Sequence, residues 1–515
     1  MHALRQFVVT RTTTAAVAVL FIAGIAVYAN TLNNKMFWDD NDVILNNAYV
    51  HNFEIGKFFS GNMIEGAGFM SDYWRPVLLT VYSIEWKLWG ASAPGYHAVN
   101  FLVHFANAVL VFLLLSKLLA RRAVPFFTAL IFLIHPLQTE AVTYVTGLGD
   151  PLSLLFTLLG IAAYMRFRAK YQNRGAMLSY GVAALCFILA LLSKERAVVF
   201  PALLVLLELW LRLVRPHVER FRDWCKNAAL ALLPFVLIAA LYLALRGTVL
   251  NFQNTFNIYH AENVYTTSMM VRTSTFFSIL PQYISLFFSP ITLFMERTEN
   301  ILVVTSLFNP YALAGVIIAL IMLLFSIARF KERKGYLFGT LFFAAAILPA
   351  SGILAPVAGI MFEHYLYAPI VGLSIFAGTG IAEIMGAAWT KDWMRWTAGG
   401  LLAIWFISLG VRTVLRNADW RDPIGFYEQT LKYAPTSLRV WNNLGMAYED
   451  KGDIPKAHDA YEHAIALNPQ NPIPVYNLGN NYENAGDMQS ARKYWEAAKQ
   501  LDPKFLPAIE KLRIK

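Results

Sequence analysis

In the stretch MFWDDNDVILNN, residues 36–47, Asp39 and Asp40 are adjacent and Asp42 follows, a few positions after the first apolar run of the chain ends. Neighbouring carboxylates repel, so holding both ionised takes a cation, a basic partner or water. A solvated loop is the competing reading of the pair taken alone. Other polar clusters also stand at the ends of apolar runs. GYHAVNFLVHFAN sets His97, Asn100 and His104 on one face of a helix entering a membrane; that face suits a phosphate or a metal ion, and equally interhelical hydrogen bonds. IHPLQTEAVTYVTGLGDPL carries Glu140 and Asp150 with no Lys or Arg, LLSKERAVVFP sets Lys194 and Arg196 either side of Glu195, and MFEHYLYAP groups Glu363, His364, Tyr365 and Tyr367. Ionisable groups near bilayer depth are costly, so each is a functional candidate.

Acids and a few bases gathered at a lipid surface suit transfer of a group from a membrane-anchored phosphate donor. A carboxylate takes the proton of the acceptor hydroxyl, and Arg75, His97, Lys194 and Arg196 offer charge or donors to the leaving phosphate. If the group moved is a sugar, nearby carboxylates stabilise an oxocarbenium-like transition state. Paired acids also admit a divalent ion, Mg or Mn, with Asp40 and Asp150 as candidate ligands.

The elements that must position these groups are membrane helices. Of 515 residues 57% are apolar and 15% charged, against ~45–50% and ~25% in an average soluble domain. The formal charge of +10 falls in short clusters between apolar runs, which is the pattern of topology signals rather than of nucleic-acid binding. Cys186 and Cys225 offer neither a disulfide framework nor a CxxC metal site. Spans are expected near residues 14–29, 97–116, 123–134, 151–165, 176–192, 197–211, 227–245, 311–328, 335–350, 365–386 and 396–411. The stretch 273–294, interrupted by Pro281 and Pro290, stays open between a crossing and a dip, and the loop charges favour the dip. With these eleven crossings, the loops 1–14, 117–122, 166–174, 212–226, 329–334 and 387–395 hold 20 Lys and Arg, and the opposite loops hold 9. The first set is therefore cytoplasmic, and all the polar clusters face the other side.

From about residue 417 the composition turns polar and a period of 34 appears, the length of a tetratricopeptide helix pair. After Trp441, the positions Leu444, Gly445, Tyr448, Ala457, Tyr461, Ala464 and Pro469 recur, shifted by 34, at Leu478, Gly479, Tyr482, Ala491, Trp495, Ala498 and Pro503. Half a repeat precedes them at Tyr427 and Pro435. Gly and Ala let the paired helices approach, aromatics fill the space between pairs, and the stack presents a groove for peptides.

FWDDNDVILNN, YWRPVLLTVYSI, YHAVNFLVH, IHPLQTEAVTYVTGLGDPL, LLSKER and FEHYLYAP, followed by WRDPIGFYEQTLKYAPTSLRVWNNLG, resemble in order the transmembrane and tetratricopeptide-repeat O-mannosyltransferases of the GT-C glycosyltransferase class. The resemblance runs from Trp38 to Pro503. It implies an all-α polytopic GT-C bundle with helices lying on the membrane in its first external loop, a polyprenyl-phosphate sugar donor, and inverting transfer to Ser or Thr hydroxyls. It places the catalytic base in the acidic pair, here Asp39 and Asp40. This chain departs at Leu148, where the family often shows Arg, at Glu363-His364, where it often shows Glu-Arg, and in having about two and a half repeats rather than many.

The expected organisation is a transferase domain over residues 1–416, with its first external loop at about 30–94, and a short tetratricopeptide solenoid over 417–515. Arg75, His97, Asn100, His104, Glu140, Asp150, Lys194, Arg196, Glu363, His364 and Tyr365 are the expected donor-binding set. The expected setting is a bacterial inner membrane with the site and the tail periplasmic, or the endoplasmic reticulum with both lumenal. The alternatives are a carrier-dependent transferase acting on an envelope glycan or lipid, and a non-enzymatic membrane scaffold or transporter.

Overall fold

The computed structural model describes residues 2–513 except 120, 122, 170–173, 215–219, 251–262, 358 and 388–390. The expected loops at 117–122, 166–174, 212–226 and 387–395 thus lie partly outside the described residues. All regular structure among the described residues is helical, which makes the chain an all-α protein. Two compact units emerge, residues 1–293 with 302–418, and 294–301 with 419–515.

The larger unit is carried by α1 (His2–Tyr28), α2 (Pro76–Trp89), α3 (Ala93–Leu118), α4 (Ala123–Ile134), α5 (Gly149–Ala169), α6 (Arg174–Ser193), α7 (Phe200–Val214), α8 (Phe221–Gly247), α9 (Met269–Phe288), α10 (Pro310–Ala328), α11 (Lys334–Ile347), α12 (Ile370–Met385) and α13 (Asp392–Asp419). Among the described residues, eight stretches are long and apolar enough to cross a membrane: Thr12–Asn33, Ala93–Leu118, Val145–Ala169, Gly175–Ser193, Glu195–Val214, Phe221–Gly247, Pro310–Ala328 and Asp392–Asp419. The chain is an integral membrane protein. A ninth crossing counts only if Ala123–Ile134 and Pro136–Val142, bent by 54°, form one span.

Eleven crossings are not supported. The expected spans at 335–350 and 365–386 are shorter helices, Lys334–Ala350 and Ile370–Met385, which fall short of the roughly 20 residues a straight crossing takes. The uncertain stretch is helical over Met269–Phe288 with Pro281 inside, and the residues just beyond it are not.

Lipid reverses the usual patterning. On α13, Leu401, Ile404, Ile407 and Val411 are 53–65% exposed while Thr413, Arg416 and Asn417 are buried. A helix in hydrocarbon gains nothing by hiding leucines and must hide polar groups, so the packed face is the polar one. The first external loop instead packs a small core together with Tyr96, Val145, Leu148 and Leu152. Val43, Ile44, Val50, Phe58, Leu78 and Tyr82 are fully or almost fully buried together. The short helix Ala48–Asn52 within that loop is capped by the Asn47 side chain, which accepts from the N–H groups of Tyr49 and Val50.

The smaller unit holds α14 (Pro423–Leu431), α15 (Leu438–Asp450), α16 (Ile454–Leu467), α17 (Pro472–Asn484), α18 (Met488–Leu501) and α19 (Leu506–Arg513). Its repeat has a mechanical basis at two glycine pairs spaced by 34. A Cβ at Gly445 would sit 2.5 Å from the Tyr461 ring, and one at Gly479 would sit 2.6 Å from the Trp495 ring, so only glycine lets the paired helices close on those aromatics. Gly452 and Gly486 turn the chain between the paired helices at φ 82° and 85°, a region that favours glycine.

Candidate active site

The acidic loop is held by its own backbone and by residues 144–146. Trp38 sits at φ 64°, an outlier for a bulky residue, and the turn closes around it as Asn41 N–H donates to the Trp38 carbonyl at 3.1 Å. The Asp40 carboxylate, 1% exposed, points inward. Its Oδ2 accepts from Phe37 N–H at 3.1 Å and its Oδ1 from Thr146 N–H at 2.9 Å. Burial pushes this carboxyl up to about 7 against the pull of those two donors, and the Asp39 charge adds to the rise. Asp39 is half-buried, and its N–H donates to the Tyr144 hydroxyl at 2.9 Å.

Antiparallel packing of α5 on α6 brings the first turn of one to the end of the other, and there Lys194 Nζ donates to Asp150 Oδ2 at 2.6 Å. Arg196 Nη1 lies 3.5 Å from Asp150 Oδ1, and its guanidinium covers the Tyr365 ring at 3.9 Å. Arg196 Nη2 donates to His364 Nε2 at 3.2 Å. His364 in turn gives its backbone N–H to Glu140 Oε2 at 3.0 Å and its Nδ1–H to Glu140 Oε1 at 2.5 Å. These partners assign the neutral Nδ1–H tautomer. Burial, with the Lys194 and Arg196 charges, holds His364 well below the usual imidazole range. Burial also draws Lys194 down to about 8, with Asp150 opposing and Arg196 and Arg75 adding to the fall.

Arg75, which opens α2, forks onto Glu195 with Nε at 3.0 Å and Nη2 at 2.8 Å from its two oxygens. Burial works against that guanidinium's charge, and the Glu195 carboxylate more than offsets it and holds the pKa above its usual value. Glu363 lies 3.9 Å from Arg416 Nη2.

The structure therefore brings Arg75, Glu140, Asp150, Lys194, Arg196, His364 and Tyr365 together with Glu195, and joins Asp39 and Asp40 to the 140–150 loop. His97, Asn100 and His104 are used differently. His97 Nε2 meets the Asn34 carbonyl at 3.2 Å, Asn100 donates to the carbonyls of Val142, Tyr144 and Val145, and His104 contacts the Leu133 carbonyl and the Tyr367 hydroxyl. The polar face read from the sequence fixes the loop backbone; it does not join the Lys194–Arg196 cluster. A divalent ion between Asp40 and Asp150 does not fit either. Asp40 is committed to two backbone donors and Asp150 to two cations. Among the described residues no group of three or more His, Cys, Asp or Glu is arranged to hold a metal.

Sequence reasoning missed Tyr144, Thr146 and Arg416. Tyr144 and Thr146 act through a hydroxyl and a backbone N–H, which leave no signature in residue type. Arg416 did leave one, because an ionisable group closing an apolar run is costly unless it has work to do.

Comparison with known proteins follows this geometry. The tetratricopeptide-repeat family matches residues 438–471 and 474–505. Protein O-mannosyl-transferase F38B6.6 of Caenorhabditis elegans is 25% identical over 88% of this chain and 62% of its own length. Protein O-mannosyl-transferase TMTC3 of Mus musculus is 23% identical over 87% and 50%, and Tmtc1 of Drosophila melanogaster is 24% identical over 84% and 59%. The chain is homologous to these transferases. It spans between 50% and 62% of their length, while the match takes in both the bundle and the repeats. Among solved structures, the oligosaccharyltransferase of Archaeoglobus fulgidus in the apo form overlaps with TM-score 0.45 at 12% identity, covering 79% of this chain and 56% of that one.

Proposed function

We propose that this chain is a membrane glycosyltransferase that moves a sugar from a polyprenyl-phosphate donor to Ser or Thr hydroxyls of an external protein, with inversion. The observation that supports it most is the meeting of three sequence motifs, 224 residues apart at their extremes, in one chain of contacts from Glu140 through His364, Arg196 and Asp150 to Lys194. The likeness to named O-mannosyl-transferases supports the same reading.

Asp39 is the base. Of the two acids it is the one with solvent access, whereas both Asp40 oxygens face backbone donors; reach decides before acidity. Asp40 is a positioning residue that fastens the acidic loop to Thr146. Asp39 takes the proton of the acceptor hydroxyl, whose oxygen bonds to the anomeric carbon. The bond from that carbon to the phosphate oxygen breaks, and its electron pair leaves on the phosphate. Arg196 and Lys194, held in place by Asp150, His364 and the Tyr365 ring, stabilise that charge. Their pre-existing contacts fix their geometry before the donor arrives, so little reorganisation remains for the transition state. The repeats supply the acceptor groove. The site faces the periplasm of a bacterium, or the lumen of the endoplasmic reticulum in a eukaryotic cell.

The test supplies purified protein with polyprenyl-phosphate mannose and a Ser/Thr peptide and follows peptide mass. Transfer that disappears when Asp39 becomes Asn supports the assignment. Undiminished transfer by that variant removes Asp39 as base, and transfer only to a glycan or lipid acceptor replaces the protein acceptor.

A further inference from the structure

The far ends of the same helices enclose a cavity of about 1310 Å³ that the transfer site does not use. Helix α5 has Asp150 in its first turn and Arg166 and Arg168 in its last, about 25 Å away at 1.5 Å per residue. The cavity is lined by Lys117 from the end of α3, by Arg166 and Arg168, and by Arg212 from the end of α7, with Glu208 as its carboxylate. Glu208 is consumed within the protein. Its side chain is 3% exposed, it accepts from the Tyr164 hydroxyl at 2.7 Å, and Arg168 forks onto it at 2.7 and 3.0 Å.

The remaining three cations line the cavity. Lys117 and Arg166 are exposed, and neither has an ion-pair partner among the described residues. The Arg212 guanidinium is seated 5.1 Å from the Phe221 ring and 4.9 Å from the Trp224 ring, an arrangement that holds a cation in place without neutralising it. Between these charges the walls are hydrocarbon, from Leu114, Leu118, Leu178, Val182 and Leu211. A soluble anion would leave those walls unused, and an apolar ligand would leave three cations unanswered. A phosphate headgroup carrying a hydrocarbon chain answers both.

We propose that this basic cavity binds the headgroup of an anionic phospholipid, at the end of the bundle opposite the transfer site. The inference is independent of the transfer chemistry and stands or falls on lipid binding alone.

Native mass spectrometry of the full chain in detergent, titrated with phosphatidylglycerol or phosphatidylcholine, tests it. Wild type is expected to retain phosphatidylglycerol in preference to phosphatidylcholine. Combining Lys117→Gln, Arg166→Gln and Arg212→Gln removes about a fivefold contribution per charge, roughly a hundredfold in all. The single variants Lys117→Gln and Arg166→Gln, on exposed positions, give the same sign should the triple variant fold poorly. Lys331→Gln with Lys334→Gln and Arg395→Gln, outside the cavity, is expected to change retention little. Equal loss in that control, or equal retention by the triple variant, overturns the site. Displacement of the lipid by inorganic phosphate at matching concentration overturns the lipid as its ligand in favour of a soluble phosphate.

Discussion

At one end of α5, α6 and α7 the cations Arg75, Lys194 and Arg196 each face a carboxylate within 3.5 Å, whereas at the other end four cations line a cavity whose carboxylate, Glu208, is taken by Arg168. The two ends are built from the same helices and differ in whether charge is answered internally. An internally answered cluster holds its geometry before any ligand arrives and is destabilised when one member is lost. An unanswered cluster is completed by a ligand and by itself adds little to stability.

Chemistry is expected to be concentrated at the paired end, and the sharpest break comes from the acid pair. Asp39→Asn is expected to lower the rate of sugar transfer by ~10²–10⁴, the usual range for a positioned base, with thermal stability close to wild type because the Asp39 backbone contact to Tyr144 survives. Asp40→Asn places an amide N–H₂ against one of two backbone donors and is expected to lower thermal stability and rate together. Stability unchanged in both variants, with rate lost only in the second, would exchange the two roles.

A nearly equal effect, on stability, is expected at Asp150. Replacing it with Asn leaves Lys194, 8% exposed at its side chain, beside Arg196 with no carboxylate between them. About 3–5 kcal/mol is the usual loss when one partner of a buried pair is removed. The double change Asp150→Leu with Lys194→Met removes both buried charges of the closer pair, and thermal unfolding in detergent should recover most of that loss while transfer stays absent. Recovery of both would mean the pair is structural only.

Glu85 is the exception at the paired end. It is 3% exposed on α2, both of its oxygens lack a hydrogen-bond partner, and burial alone pushes it from 4.5 up to about 8. The folded state therefore holds a proton that the unfolded state has released between those values, so stability falls as pH rises through that window. Glu85→Gln cannot ionise. It should match wild type near pH 4.5 and exceed it by about 5 kcal/mol above pH 8, a difference that thermal melts across that range would read directly.

The two units differ in how much of them could be read from the sequence. The tail was legible because its contacts are local and periodic: Gly445 meets Tyr461 and Gly479 meets Trp495, each 16 positions on. Helix α13 was legible as a span from its apolar face and its Arg416 as a costly charge at the end of that run, but the partner of Arg416, Glu363, lies 53 positions earlier and was not legible. Residue types suggested that Lys194, Arg196, His364 and Glu140 act together, and hydropathy put them on one side. The order of contacts was not legible, because Arg196 to His364 spans 168 residues and His364 to Glu140 spans 224. His97, Asn100 and His104 show the opposite failure. A polar helical face has the same spacing whether it binds a ligand or backbone carbonyls, and only the position of the 133–145 backbone decides between them.

The smallest expected effect makes the comparison quantitative. Lys117 is exposed and lacks an internal partner among the described residues, so Lys117→Gln in lipid-free detergent should move unfolding by no more than about 0.5 kcal/mol. Asp150→Asn at the other end loses several times that. Adding phosphatidylglycerol should then separate wild type from Lys117→Gln, because a ligand that binds the folded state raises its stability in proportion to the logarithm of its saturation. The same cation is thus silent until an anion is present. A Lys117→Gln loss as large as that of Asp150→Asn without lipid would show that the basic end also has an internal partner, and the contrast between the two ends would collapse.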